Sequence, residues 1–280
     1  MPARLQRGMT LPELLVGLTI LAILGTAMVR LVLSETRNVD RLMLQRSARA
    51  VTRSSVNLLL SELRMVVPQG GVHAASGGSV EVSVPFAMGL SCGDAGGVTM
   101  VSLLPSDSVA LVDAAFTGYA WRPASAVWAF VDSAVAMGWS GDAATCTAAR
   151  LTTLPGGRVV SVSPPLPAGA PPGTPVFLVQ RLRYWFGPSA DVPGAVALLR
   201  TRALDGVTEE LAAPFDSTSR FRFFVVGSDT ATSAPPSTTD ALQGLELDLV
   251  GLSTRTRFGA TRPERAIQRS SIFFSNAVQR

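Results

Sequence analysis

The stretch from Arg7 to Glu13 reads RGMTLPE, and an apolar segment from Leu14 to Val29 follows it directly. Before Glu13 the chain carries Arg4 and Arg7 and no acidic residue. Glu13 is unusual, because an ionised carboxylate at membrane depth costs at least about 2.5 kcal/mol unless it has a partner or a path to water. The N-terminal region therefore combines a short basic leader, one carboxylate and a segment suited to a membrane.

This pattern resembles the processing site and helix start of type IV prepilins and type II secretion pseudopilins. The resemblance implies that a prepilin peptidase cuts after Gly8 and that the new amine, on Met9, is methylated; the family more often has Phe at this position. Glu13 then occupies the fifth mature position, where the family has a glutamate. The Met9 amine is a candidate partner for Glu13, within one subunit or between neighbours. Glu13 is thus predicted to act in assembly and register as well as in anchoring.

The apolar segment is long enough to span a bilayer as residues 9–33, provided that Arg30 reaches the far interface with its flexible side chain. The basic leader, residues 1–8, places the N-terminus in the cytoplasm by the positive-inside rule. The apolar run comes after the predicted cut, unlike that of a secretory signal peptide, so it stays in the mature protein. We therefore expect a single-pass protein of the bacterial inner membrane with a periplasmic C-terminal part.

From Ser34 the pattern becomes amphipathic, with apolar residues three or four positions apart and arginines between them. This period predicts a half-buried helix over residues 34–67, ended by Pro68 and the Gly70-Gly71 pair. Together with the apolar segment it forms one predicted helix from Met9 to Val67, roughly 90 Å long.

Residues 72–280 lose the helical period and show short alternating runs bounded by Gly, Pro, Ser and Asp, which predict a β-rich head. The fold class is therefore α+β: a pilin-like lollipop with a long N-terminal helix and an antiparallel β head. Loops are predicted at 163–175 and 229–240. The predicted strands cover residues 80–84, 98–104, 109–112, 126–131, 159–162, 176–186, 195–203, 221–226 and 242–252, with 211–215 leading into one of them and 272–274 closing the pattern.

The C-terminal half resembles PilW-type minor pilins and their secretion counterpart, the J-type pseudopilin. The matching places are Arg183-Tyr184, Leu199-Arg200 and Ser275-Asn276. The sequence departs from that family twice, with Leu in place of Tyr before Arg200 and Ser in place of Arg before Asn276. These tail matches favour one family branch.

The two cysteines, Cys92 and Cys146, are disulfide candidates if this part lies in a periplasm; two free buried thiols are the alternative. With His73, the only histidine, they supply at most three zinc ligands and fit no compact zinc motif, so no metal site is predicted. Calcium binding by acidic residues remains a minor alternative without EF-hand spacing to support it. Its candidate ligands are Asp229, Asp240, Glu246 and Asp248.

A catalytic site is not predicted. Any Ser-His-Asp arrangement must use His73, which lies in a flexible-looking stretch and is expected at the surface. The glycines of residues 93–97 lack the Gly-Lys-Ser/Thr of a phosphate-binding loop. No cofactor is expected. The net charge of +4 and the pI near 10.0 come from arginines, which leaves nucleic-acid binding possible but unsupported, and the four tryptophans are expected in the core.

The resemblance implies a structural protein, a minor pilin that helps to initiate or cap a type IV pilus. A J-type pseudopilin of a type II secretion system is the alternative in the same class. A periplasmic binding or enzymatic head on an ordinary signal anchor, with Glu13 at the edge of the anchor, is the alternative in another class. The expected partners are the prepilin peptidase, other minor and major pilins or pseudopilins, and the inner membrane.

Overall fold

The computed structural model describes most of the chain from Leu11 to Phe274. It begins with one helix, α1 (Leu11–Leu63), of 53 residues, which is about 80 Å long at 1.5 Å per residue. Pro12 lies in its first turn, where backbone N–H groups have no intrahelical partner. The single long helix is confirmed, although it ends at Leu63 rather than at 67. The described residues are 11–66, 70–110, 113–123, 128–132, 136–140, 143–151, 153, 155–167 and 170–274.

The two halves of α1 have different surroundings. Every side chain from Leu11 to Val39 is exposed. Within this part the hydroxyls of Thr19 and Thr26 donate to carbonyls one turn earlier, so neither is left without a hydrogen bond. The second half carries a buried stripe three or four positions apart, as the amphipathic pattern predicts. The buried residues are Leu44, Ala48, Thr52, Ser55, Val56, Leu59 and Leu63.

Within the described residues, the head is one antiparallel sheet of 13 strands. Their bounds are β1 (Val72–Ser76), β2 (Ser79–Ala95), β3 (Val98–Leu103), β4 (Phe116–Trp121), β5 (Ala129–Val131), β6 (Ala136–Ser140), β7 (Val159–Ser163), β8 (Pro175–Pro188), β9 (Val196–Arg202), β10 (Thr208–Phe215), β11 (Arg220–Val225), β12 (Leu242–Leu252) and β13 (Arg265–Phe273).

The main path of the sheet runs β11-β12-β10-β9-β8-β2-β3-β7-β6. Strand β13 pairs with β12, β1 with β2, β4 with β8, and β5 with β4. Together with α1, this arrangement is the α+β lollipop-like fold that the sequence predicts. Two short helices, α2 (Pro105–Ala110) and α3 (Ala144–Ala148), lie between strands.

Two local predictions are wrong. Val109 and Ala110 form the end of α2 and not a strand, because Pro105 starts a helical turn in which Ser108 bonds to the Leu104 carbonyl. Strand β13 begins at Arg265, well before the predicted residues 272–274. Its sequence is mostly polar and its side chains are largely exposed, so it lacks the apolar alternation of a half-buried strand.

The main hydrophobic core lies between the second half of α1 and the sheet. Large, fully buried side chains from several strands form the centre of this core. A second core lies around β3, β4, β7 and β8 and includes Tyr119 and Trp121. The side chains of the main core include Leu59, Leu63, Leu182, Tyr184, Phe215, Phe221, Phe223, Leu245 and Leu247.

The C-terminal end of β12 lies against the second half of α1. Gly251 of β12 lies against the helix, and a Cβ added there would be 2.5 Å from the Ala48 carbonyl oxygen. Beyond the end of β12, Arg255 binds the Asp40 carboxylate. Because the contact on α1 moves from Ala48 to Asp40 as the chain leaves β12, the β12–β13 loop emerges at the end of the head nearest the apolar half of α1.

Candidate functional site

The apolar half of α1 is the first part of the candidate site. The helix is long and apolar enough to cross a membrane, and none of its most apolar window is buried in the head. Glu13 lies exposed in its first turn, where a carboxylate interacts favourably with the helix dipole. The predicted processing residues Gly8 and Met9 lie outside the described residues.

The other end of α1 is fastened to the sheet by a polar cluster. Glu62 accepts hydrogen bonds from the Tyr184 hydroxyl and from the Arg200 guanidinium. Tyr184 and Arg200 are directly opposite each other on β8 and β9, and Arg200 also binds Glu209 of β10. One carboxylate on the helix is therefore held by two neighbouring strands.

Burial sets the ionisation of this cluster. Burial, followed by the nearby Glu62 carboxylate, raises the pKa of Tyr184 well above its usual value, so the phenol stays neutral and can donate. Burial tends to lower the pKa of Arg200, but the carboxylates of Glu62 and Glu209 outweigh it and raise that pKa. The cluster is thus a neutral donor and a cation on an anionic acceptor. Such charge-assisted bonds are stronger than neutral ones.

Two of the three residue pairs that resemble the PilW-type tail contribute a residue to this polar cluster. Tyr184 and Arg200 are brought together on Glu62, whereas Arg183 lies with its guanidinium 5.8 Å from the Trp185 ring centroid. The Ser275-Asn276 pair lies outside the described residues. Sequence reasoning missed Glu62 as a site residue. The sequence signal that could have identified Glu62 is its position in the helix. It is the sole acid in α1 after Asp40, and it lies one turn beyond Leu59, a residue of the buried stripe.

Cys92 and Cys146 form a disulfide. Both are buried, and the bond ties the C-terminal part of β2 to α3. In the described part of the chain, no three His, Cys, Asp or Glu side chains come together as a metal site. Of the calcium candidates, Glu246 and Asp248 lie on β12 facing arginines.

His73 is not at the surface, contrary to the sequence-based expectation. It lies on β1 with its side chain only 11% exposed. Its Nε2 is 2.7 Å from the Ser83 Oγ, and its Nδ1 is 3.5 Å from a carboxylate oxygen of Asp132. Burial, and then Arg181, lower the pKa of His73.

Ser83 contacts His73 and His73 contacts Asp132, as the three members of a catalytic triad do. The serine, however, is not accessible to a substrate. Ser83 is 1% exposed, and a nucleophile must reach the substrate atom that it attacks. The arrangement instead satisfies the hydrogen bonds of a buried imidazole and a buried hydroxyl, as folded proteins require of such groups.

Residues 3–29 match the family model of the prokaryotic N-terminal methylation motif. No curated protein and no solved structure matches the chain. With the long apolar N-terminal helix, the motif is consistent with the type IV pilin-like family and supports a prepilin-type pilin or pseudopilin. It indicates a structural, membrane-anchored subunit rather than an enzyme. It also implies processing by a prepilin peptidase and assembly with other pilin-type subunits.

Proposed function

We propose that this protein is a minor pilin that helps to initiate or cap a type IV pilus. The observation that carries the proposal is the methylation motif at residues 3–29 leading directly into a helix that is apolar and exposed up to Val39. An apolar surface of this length is unfavourable in water. Lipid covers it before assembly, and the helices of other subunits cover it in the filament.

The proposed division of the chain follows from this. Residues 1–8 are a leader removed in the cytoplasm, and residues 9–33 are the membrane anchor and then the filament core. Residues 34–67 dock on the head, and residues 72–280 are the periplasmic head. A disulfide between Cys92 and Cys146 suits an oxidising compartment.

Glu13 is proposed to fix the register of the subunit. The positive charge created on the Met9 amine by cleavage is its proposed partner. In low dielectric such a pair contributes only when both charges are present and well placed, which makes its geometry selective for a correctly seated neighbour.

Mass spectrometry of the mature N-terminus from membranes tests the proposal first. The expected chain begins at N-methylated Met9. Gly8→Ala is expected to block cleavage but not insertion, and Met9→Phe, the residue more common in this family, is expected to be processed normally. An intact Met1 in the wild-type chain would overturn the proposal.

Assembly tests the role of Glu13. Glu13→Ala is expected to insert and be processed but to be missing from sheared filaments. Glu35→Ala is the matched control, because Glu35 is also an exposed acid on α1 but lies beyond the apolar segment. Normal incorporation of Glu13→Ala would exclude the register role.

The choice between the two machines needs a separate readout. The tail matches at Tyr184 and Arg200 fit the PilW-type and J-type members of that one branch equally. Deletion of the gene is expected to remove surface pili and to leave type II secretion intact. Loss of secretion with normal pili would assign the protein as a J-type pseudopilin.

A further inference from the structure

The β12–β13 loop, residues 253–264, carries an exposed aromatic residue among arginines. Phe258 is 91% exposed, the highest value for a large apolar side chain among the described residues. Arg255, Arg257 and Arg262 surround it in sequence, and Glu264 is the single acid of the loop. We call this segment the arginine loop.

The arginine loop has a defined shape. At its base, the Ser253 N–H donates to the Glu264 carbonyl, and the Glu264 N–H donates to the Ser253 hydroxyl. At its tip, the Ala260 N–H donates to the Arg257 carbonyl, and Gly259 has a φ of +78°. This is the geometry of a tight turn that needs glycine at its third position. Phe258 is therefore presented at the apex.

The position of the arginine loop along α1 indicates that its partner is the membrane surface. Arg255 binds Asp40, and Asp40 lies seven positions beyond Leu33, which is about 10 Å along the helix. The chain from Arg255 to Phe258 can span about another 10 Å. If the anchor ends near Leu33, Phe258 reaches the headgroup layer, which is where aromatic side chains concentrate.

Charge favours an anionic surface. The nearby part of α1 adds Arg30, Arg37 and Arg41, against Glu35 and the already paired Asp40. In the described part of the chain, neither Arg257 nor Arg262 forms an ion pair with an acid. Basic residues beside an exposed aromatic are the pattern of interfacial membrane contact.

We propose that the arginine loop rests on the anionic phospholipid surface while the protein is anchored, with Phe258 in the headgroup layer and Arg257 and Arg262 on lipid phosphates. This second contact holds the head in one orientation relative to the membrane. Leaving the membrane for the filament must then release the loop. The inference depends on the proposed anchoring by α1 and goes beyond it.

Full-length Phe258→Trp in lipid nanodiscs provides the test. The discs contain phosphatidylcholine alone or an equimolar mixture with phosphatidylglycerol, with and without bromine on the acyl chains as a quencher. We expect bromine to quench the emission that Phe258→Trp adds to the wild type, and to do so more strongly in the anionic discs. Phe273→Trp is the matched control, since Phe273 is also exposed but pairs with Gly244 at the far end of β12.

Removing the charges should weaken the contact. Arg257→Gln with Arg262→Gln, in the Phe258→Trp background, is expected to lower the bound-to-free ratio of the loop about fivefold per arginine, since a basic residue near an anionic surface contributes about 1 kcal/mol. If the Phe258→Trp and Phe273→Trp variants are quenched equally in chains that stay in the discs, the contact between the arginine loop and lipid is overturned, but the anchor is not. The arginine loop would then be a surface for another subunit. Chains that leave the discs would overturn the anchor as well.

Discussion

Tyr184 and Arg200 lie directly opposite each other on β8 and β9, and both donate to the carboxylate of Glu62 near the end of α1. Glu62 and Arg200 are 138 positions apart in the chain. The contact therefore fixes where the long helix ends on the sheet. It also explains why a tyrosine and an arginine occur at these places in adjacent strands.

Replacing Glu62 with Gln should loosen this end of the helix. The amide keeps the size of the side chain but removes the charge opposite Arg200, so we expect a loss of about 1.5–3 kcal/mol in the free energy of unfolding, the range for hydrogen bonds to charged groups. Urea unfolding of the head, followed by near-UV circular dichroism, measures it. Glu209→Gln is the control on the same arginine. Glu209 is 51% exposed, so Glu209→Gln is expected to lower the free energy of unfolding by less than about 1 kcal/mol. Equal losses for the two variants would show that Glu62 does not stabilise the contact between helix and sheet more than Glu209 does.

Gly251 is expected to reject a methyl group. An added Cβ would meet the Ala48 carbonyl oxygen at 2.5 Å and the Thr52 methyl at 2.7 Å. Gly251→Ala must push α1 away from β12, at a cost of about 1–3 kcal/mol for overpacking. Gly78→Ala is the control, because nothing lies within 4 Å of its added Cβ. A thermal midpoint for Gly251→Ala equal to that of the control would rule out the tight helix contact.

His73 should make stability fall as the solution becomes mildly acidic. Burial, then Arg181, lower its pKa in the folded state from 6.5, while Asp132 and Glu81 oppose the shift. Below pH 6.5 the unfolded chain binds a proton that the folded chain does not, so stability is full above pH 6.5 and is lost as the pH falls through the folded pKa.

Unfolding measured from pH 7.5 to 5 should show this loss in the wild type and a flatter profile in His73→Gln. Asp216 provides an internal comparison. Its pKa is lowered, chiefly by hydrogen bonds from Thr218, so its contribution disappears only below its usual value of 3.8. Identical slopes for the two proteins above pH 5 would show that His73 does not titrate differently on folding.

The disulfide should contribute strongly to the distal part of the head. It joins residues 54 positions apart, and a loop of that size corresponds to about 4 kcal/mol of unfolded-state entropy. Cys92→Ser with Cys146→Ser should therefore lower the urea midpoint by an amount similar to that caused by reducing agent on the wild type. Reducing agent should not change the double variant. A wild-type midpoint insensitive to reduction would contradict this role.

Ser83 should resist reagents that label catalytic serines. Its hydroxyl is buried against His73, so a fluorophosphonate probe is expected to leave the folded protein unmodified, as measured by intact mass. Ser83→Ala is the control for any signal from other residues. Stoichiometric labelling that Ser83→Ala abolishes would reopen the enzymatic alternative.

The sequence by itself was sufficient for features with a local signature. The apolar run and the three-or-four spacing of apolar residues after Ser34 predict a single helix in two environments, since this period is typical of a helix with one buried face. Alternation or continuous apolar runs likewise predict β8 and β12. The leader, Gly8, Met9 and Glu13 are predictions from resemblance, and they remain for the proposed experiments to test.

Only the tertiary structure decided which distant side chains meet. Strand register brings Tyr184 opposite Arg200, and helix docking then brings Glu62 to both, and neither event has a local sequence signal. The same holds for Ser83 beside His73, for the polar edge strand β13, and for the arginine loop at the end of the head nearest the apolar half of α1. The period of the neighbouring sequence indicates which face of a helix or strand is buried, but the partners of a residue depend on how whole elements pack.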